Sequence, residues 1–187
     1  MSKNLSIIQT VMKVLRIITK IVYIVCIVGA IISAISTGFA IAAYFGAKTF
    51  FDITIDGKTL EVIMLEETGM DIVTAIGYSA AGVVMSCASV ITSKLACNYF
   101  DQEIEDGTPF TYAGADLLKK VAIRSFIISI VAVAIAAIAV AIITMGKETN
   151  IKIDGDISIF SPLAMWLVSV IFRYGAEVRE QNSNKML

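Results

Sequence analysis

A chain of 187 residues that is 57% hydrophobic, with mean hydropathy +0.83, exceeds the roughly 45–50% apolar content of soluble domains. Its net charge of −1 supplies no global field for nucleic acid, and the absence of histidine removes the commonest general base, metal ligand and near-neutral proton switch. Cys26, Cys87 and Cys97 are odd in number and lack paired spacing, against a disulfide framework or a zinc site. With no phosphate loop and no nucleophile–base pair either, the expectation is a chain that is not an enzyme and uses no cofactor or metal.

The apolar residues lie in four blocks, the pattern of membrane spans rather than of one soluble core. This predicts an all-α membrane protein, a single integral membrane domain over 1–187, with four transmembrane helices at about 21–45, 72–95, 121–145 and 159–175. Ahead of the first span, Lys3, Lys13, Arg16 and Lys20 alternate with apolar residues at helical spacing. That segment is either an amphipathic helix on the inner membrane surface running into the span or a basic flank that orients it. The apolar run Ile21–Phe45 exceeds the roughly 7–15 residues of a signal-peptide core, so it reads as a retained span. Ala30, Ala34, Gly38 and Ala42 recur every four residues beside Gly29, Ser33 and Thr37, small faces on which a neighbouring helix can approach closely. Such faces also allow an oligomer.

Between spans one and two, 50–64 alternates β-formers about Asp56-Gly57, a hairpin signal. Span two carries Gly77, Ala81, Gly82 and Ser86 and closes at Lys94. A polar stretch, 97–120, follows as a cytoplasmic elbow, and its acidic run Asp101, Glu103, Glu105 and Asp106 reads as a solubilising loop or a surface exposed to a partner. After span three, 149–160 forms a second hairpin, and Pro162 suits the first turn of a short fourth span. Shifting the first hairpin by 98 residues lays Ile53, Ile55, Asp56 and Gly57 on Ile151, Ile153, Asp154 and Gly155. This suggests a two-span repeat whose two extracytoplasmic β-hairpins emerge on one face and form a small cap.

Charge sets the expected orientation. Eleven basic residues flank the spans on the side of both termini and the elbow, against four on the hairpin side, which places the termini in the cytoplasm. The hairpin side holds nine acidic residues and a net charge of −5. No Asp, Glu, Lys or Arg lies within Ile21–Phe45, Ile72–Thr92, Ser125–Gly146 or Ile157–Phe172. That argues against a proton-coupled transporter or a charged pore, and leaves open a passive path lined by Tyr78, Ser79, Ser86 and Ser89.

Two short motifs stand out at the cytoplasmic end. In Gly107-Thr108-Pro109-Phe110-Thr111, Pro109 biases its neighbour towards extended backbone, Thr111 can cap the helix that follows, and Phe110 can staple against Ala115 or dip into the interface. In Phe172-Arg173-Tyr174-Gly175-Ala176-Glu177-Val178-Arg179-Glu180, Glu177 can bridge Arg124, Arg173 and Arg179 and tie span four to span three. The candidate partner-binding or structural residues are therefore Gly107, Pro109, Phe110, Thr111, Arg124, Arg173, Gly175, Glu177 and Arg179. Both motifs resemble those of a family of small bacterial four-span membrane proteins of unknown function. The resemblance implies a multi-pass protein of the bacterial cell membrane with no assigned activity. Members are often encoded beside small helix-turn-helix regulators, which implies a regulatory pair in which the lipid bilayer and a cytoplasmic protein, rather than nucleic acid directly, are the partners. The chain departs from the family pattern after Asn182. Transport of a small solute and protection against a membrane-active peptide are the alternatives.

Overall fold

The computed structural model describes residues 3–45, 54–55, 58–59, 71–106, 110–145 and 160–184. They form helices α1 (Lys3–Tyr44), α2 (Ile72–Asp106), α3 (Tyr112–Ile143) and α4 (Phe160–Asn184), with strands β1 (Thr54–Ile55) and β2 (Lys58–Thr59) between α1 and α2. Candidate spans lie at Gln9–Ala42, Ile72–Asp106 and Tyr112–Ile143, three stretches long and apolar enough to cross a membrane. The chain is a multi-pass helical membrane protein. The fourth expected span corresponds to α4, whose apolar run Ser161–Phe172 covers only about 18 Å of the roughly 30 Å of hydrocarbon.

β1 and β2 pair antiparallel, Thr54 with Thr59 and Ile55 with Lys58, the register of a two-residue turn. The rest of the first expected hairpin, all of the second before Phe160, and Gly107, Thr108 and Pro109 of the elbow lie outside the described residues.

Each long helix outruns its apolar stretch. α1 is continuous through Lys20, so its basic start and its apolar run are one rod of about 63 Å. α2 passes Leu95 and ends at Asp106, because Ala96–Asp106 contains no glycine or proline and Gly107 is the first stop signal. The acidic run is therefore helical. α3 ends with Met145 at φ 52°, a left-handed position that usually selects glycine.

The chain divides into two compact units, Met1–Cys26 with Ala88–Ile130 and Asp156–Leu187, and Ile27–Cys87 with Val131–Gly155. Each draws on stretches from both halves of the sequence. In the second unit, Ala81, Ala136 and Val140 form the core, with Val84 and Met85 packed on it. Small residues allow this. A Cβ on Gly77 would touch Thr144 at 3.5 Å and Val140 at 3.6 Å, and Ser33 Oγ lies 3.3 Å from Ser86 Oγ. In the first unit, Tyr99, Leu118 and Val121 form the core, with Leu95, Phe100, Leu117, Met165 and Phe172 around it. All of α4 belongs to this unit, its start beside Ala122, Ile123 and Phe126 of α3 and its Arg173 reaching back to Asp116.

Candidate functional site

The start of α3 is set by Thr111. Its hydroxyl accepts the Gly114 N–H at 3.0 Å and its carbonyl accepts the Ala115 N–H at 3.0 Å, so it is the N-cap. That cap fixes the residue before it. The Phe110 ring lies over Gly175 of α4, where an added Cβ would stand 2.6 Å from Cδ1, and meets Phe172 edge-on at 5.6 Å and 81°. The ring docks on α4 because Gly175 leaves bare backbone for it. The elbow motif and the terminal motif are thus in contact.

Polar pairs extend this seam. Arg173 lies 3.9 Å from Asp116 of α3 and 3.9 Å from Glu177 one turn along α4, and the Tyr112 hydroxyl donates to Glu180 at 3.1 Å. The tie between the two helices therefore runs through Asp116 and Tyr112 rather than through Glu177 bridging the arginines. Glu177 is exposed and pairs within its own helix, whereas Arg124 and Arg179 are exposed and make no ion pair with a described residue. Of the nine expected residues, Phe110, Thr111, Arg173, Gly175 and Glu177 converge on this seam, Arg124 and Arg179 stand apart as surface cations, and Gly107 and Pro109 lie outside the described residues.

Tyr112, Asp116 and Glu180 are missing from the sequence-predicted set. Spacing alone could have found them, since Tyr112 and Asp116 are four apart on α3 while Arg173, Glu177 and Glu180 fall at i, i+4 and i+7 on α4.

The acidic run divides three ways. Asp101 pairs with Arg16 and, at 3.4 Å, with Lys20, tying α2 to the basic start of α1. Burial raises the Asp101 carboxyl, but the hydrogen bond and charge of Arg16, then Lys20, outweigh it and hold the group below its ordinary value. Glu103 is buried at 2% exposure, and its two oxygens and the Tyr99 hydroxyl make no aligned hydrogen bond, although each group acts on the other's proton. Glu105 and Asp106 are exposed.

Two cavities flank Pro162. One, of about 360 Å³, is lined by Thr19, Thr92, Ser93, Ser125 and Ser129 among apolar neighbours and carries no charge. Thr19 donates to the Leu15 carbonyl at 2.7 Å, Thr92 to the Ala88 and Ser89 carbonyls at 3.1 Å, and Ser129 to the Ser125 carbonyl at 2.9 Å. Those hydroxyls have spent their protons and present acceptor lone pairs. The other, of about 190 Å³, is apolar, between Ala122, Ile123 and Phe126 of α3 and Pro162, Leu163 and Trp166 of α4. Among the described residues no group of three metal-ligating side chains occurs.

No family model matches the chain, and neither a curated protein nor a solved structure matches it. The fold and the seam define a helical multi-pass membrane protein and leave its activity to inference.

Proposed function

We propose that the protein is a non-enzymatic regulatory or accessory protein of the bacterial cell membrane, and that it binds a cytoplasmic protein through the face where the start of α3 meets the end of α4. The observation that carries this reading is the Phe110–Gly175 contact, which joins two motifs 65 residues apart into one surface. Phe110 and Gly175 hold that surface together, and the groups it offers a partner are the exposed Tyr112, Tyr174, Glu177, Val178 and Arg179. Mixed charge beside exposed aromatics suits a protein surface better than a phosphate backbone. The resemblance to the four-span family adds a helix-turn-helix regulator as the kind of partner, with nucleic acid contacted by the regulator and not by this chain.

In this reading four crossings keep both termini in the cytoplasm, the two hairpins form an extracytoplasmic cap, and the chain is a two-span repeat. Ala34 and Gly38 of α1 are exposed, and a Cβ on Gly38 would meet nothing within 4 Å, so a second copy can approach there. The test is crosslinked recovery of a cytoplasmic protein from membranes containing the full chain. Alanine at Tyr174, Glu177 and Arg179 should abolish recovery while insertion and thermal stability stay unchanged. Recovery equal to the parent's refutes the proposal.

A second reading is passage of a small uncharged solute, favoured by the hydroxyl-lined cavity. It requires solute flux in reconstituted vesicles, reduced when Ser93 and Ser125 become leucine. Altered sensitivity of cells to a membrane-active peptide is the corresponding test of a protective role.

A further inference from the structure

Glu103 has the environment of a group held by a proton. It lies in the last turns of α2, beyond the apolar part of that helix, which ends by Leu95. It is 2% exposed, its carboxylate oxygens make no aligned hydrogen bond although the Tyr99 hydroxyl acts on them, and no lysine or arginine among the described residues pairs with it. A bare carboxylate in such a place costs far more than a neutral acid.

The carboxyl rests against the first turn of α3. A Cβ on Gly114 would collide with Glu103 Oε1 and stand 3.0 Å from its Cδ and 2.9 Å from Thr111 Oγ1. Only glycine leaves the side chain its place. The charged and titratable groups acting on Glu103 are Asp106 and Tyr99, both on α2, while α3 offers it Thr111 and Gly114, neither of which ionises. Neither Asp106 nor Tyr99 supplies a positive charge, and the Tyr99 hydroxyl offsets only part of the cost of a buried carboxylate.

We propose that Glu103 is a proton-operated latch on the elbow. As a neutral acid it seats between α2 and Gly114. As an anion it withdraws to water, breaks its contact with Gly114 and loosens the first turn of α3, and with it the seat of Phe110 on α4. Burial, reinforced by the charge of Asp106 and opposed by the hydrogen-bonding influence of Tyr99, pushes the acid up to about 7, so the change falls near neutral pH.

The experiment uses the full chain in lipid nanodiscs with Cys26, Cys87 and Cys97 replaced by alanine and spin labels at Ala113 and Gln181, both exposed. The distance between labels is measured at about pH 5.5 and about pH 8.5, either side of the expected transition. The unmutated elbow should give a short distance at the lower pH and shift to longer distances at the higher. Glu103→Gln, which keeps the shape and cannot ionise, should stay short at both, and Gly114→Ala, which evicts the side chain, should be long at both. An identical distribution at both pH values in the unmutated elbow, or the same shift in Glu103→Gln, overturns the latch. The readout requires no partner. Its failure leaves the docking surface untouched, and loss of partner capture would not count against the latch.

Discussion

Replacing Gly175 by alanine puts a methyl group 2.6 Å from Phe110 Cδ1, 3.1 Å from Cε1 and 3.3 Å from Cγ. The first separation is inside carbon–carbon contact, so the ring must move. It is not free to do so, because its edge-on packing with Phe172 at 5.6 Å is already made. Overpacking of this kind costs about 1–3 kcal/mol, and loss of the aromatic geometry about 0.5–1.5 kcal/mol within that range. Against it, alanine gains about 1 kcal/mol over glycine inside a helix. The net expectation for Gly175→Ala is a loss of about 0–2 kcal/mol. Phe110→Ala removes a half-buried ring and costs about 1–2 kcal/mol. In that background the clash is gone and only the helix gain remains, so adding Gly175→Ala should stabilise by about 1 kcal/mol. The same substitution therefore goes from neutral or destabilising to stabilising with the residue at 110, a coupling of about 1–3 kcal/mol. Unfolding in detergent can be followed through Trp166, the chain's single tryptophan, which lies on α4. If the two substitutions add within about 0.5 kcal/mol, the motifs do not touch and the proposed surface loses its basis.

Thr111→Ala should cost about 1 kcal/mol and speed hydrogen exchange at the Gly114 amide, whereas Thr111→Ser should do neither, because only the capping oxygen matters. Glu103, raised from 4.5 to about 7, keeps a proton in the folded state that the unfolded chain releases, so stability should fall as pH rises from about 4.5 to about 7 and level off above. The fall is at most about 3 kcal/mol, and a pH series of denaturation midpoints should show it flattened in Glu103→Gln. Asp101 behaves oppositely: its lowered carboxyl contributes stability above its ordinary value of 3.8 that is lost as pH falls through the folded value. Because its pairs are partly exposed, Asp101→Asn should cost only about 0.2–1 kcal/mol, read as a midpoint shift that shrinks in 1 M salt (a Debye length of about 3 Å).

Periodicity and hydropathy found the helices because lipid demands long uncharged runs, and they found the small-residue faces: Gly77 does lie against α3, and Ser86 against Ser33. The cap at Thr111 was legible because it is local chemistry. The end of α2 was not. Hydropathy falls away after Leu95, yet Tyr99 and Glu103 sit one turn apart on a face buried by long-range packing, with Tyr99 in a core built from Leu118 and Val121. An acidic stretch read alone looks like a loop, and only the partners Arg16 and Gly114, far off in sequence, reveal a helix with two ties. Phe110 offered a local partner, Ala115, but docks on Gly175, because a glycine facing an aromatic across a helix pair leaves no trace in either segment.

The two compact units hold their helices together by different means, and the difference says where function can reside. Among the described residues every ion pair lies in the unit that contains the termini, whereas the other unit relies on alanine, glycine and hydroxyl contacts. A charge at the bilayer centre costs about 2.5–3.5 kcal/mol, so the span segments of that unit specify their packing by shape and by hydroxyl pairs such as Ser33 with Ser86. Added side-chain volume is excluded at Ala136, which is fully buried, whereas a methyl group on Gly77 would meet Thr144 and Val140 at ordinary contact distance. The terminal unit is under no such restriction. Tyr174, Glu177 and Arg179 are exposed on a helix already anchored by Arg173, Phe172 and Gly175, and the one pair among them, Glu177 with Arg173, is exposed and worth little, so they can change with little loosening of it. Anchoring contacts beside exposed polar groups are what a docking surface needs, and the end of α4 has both.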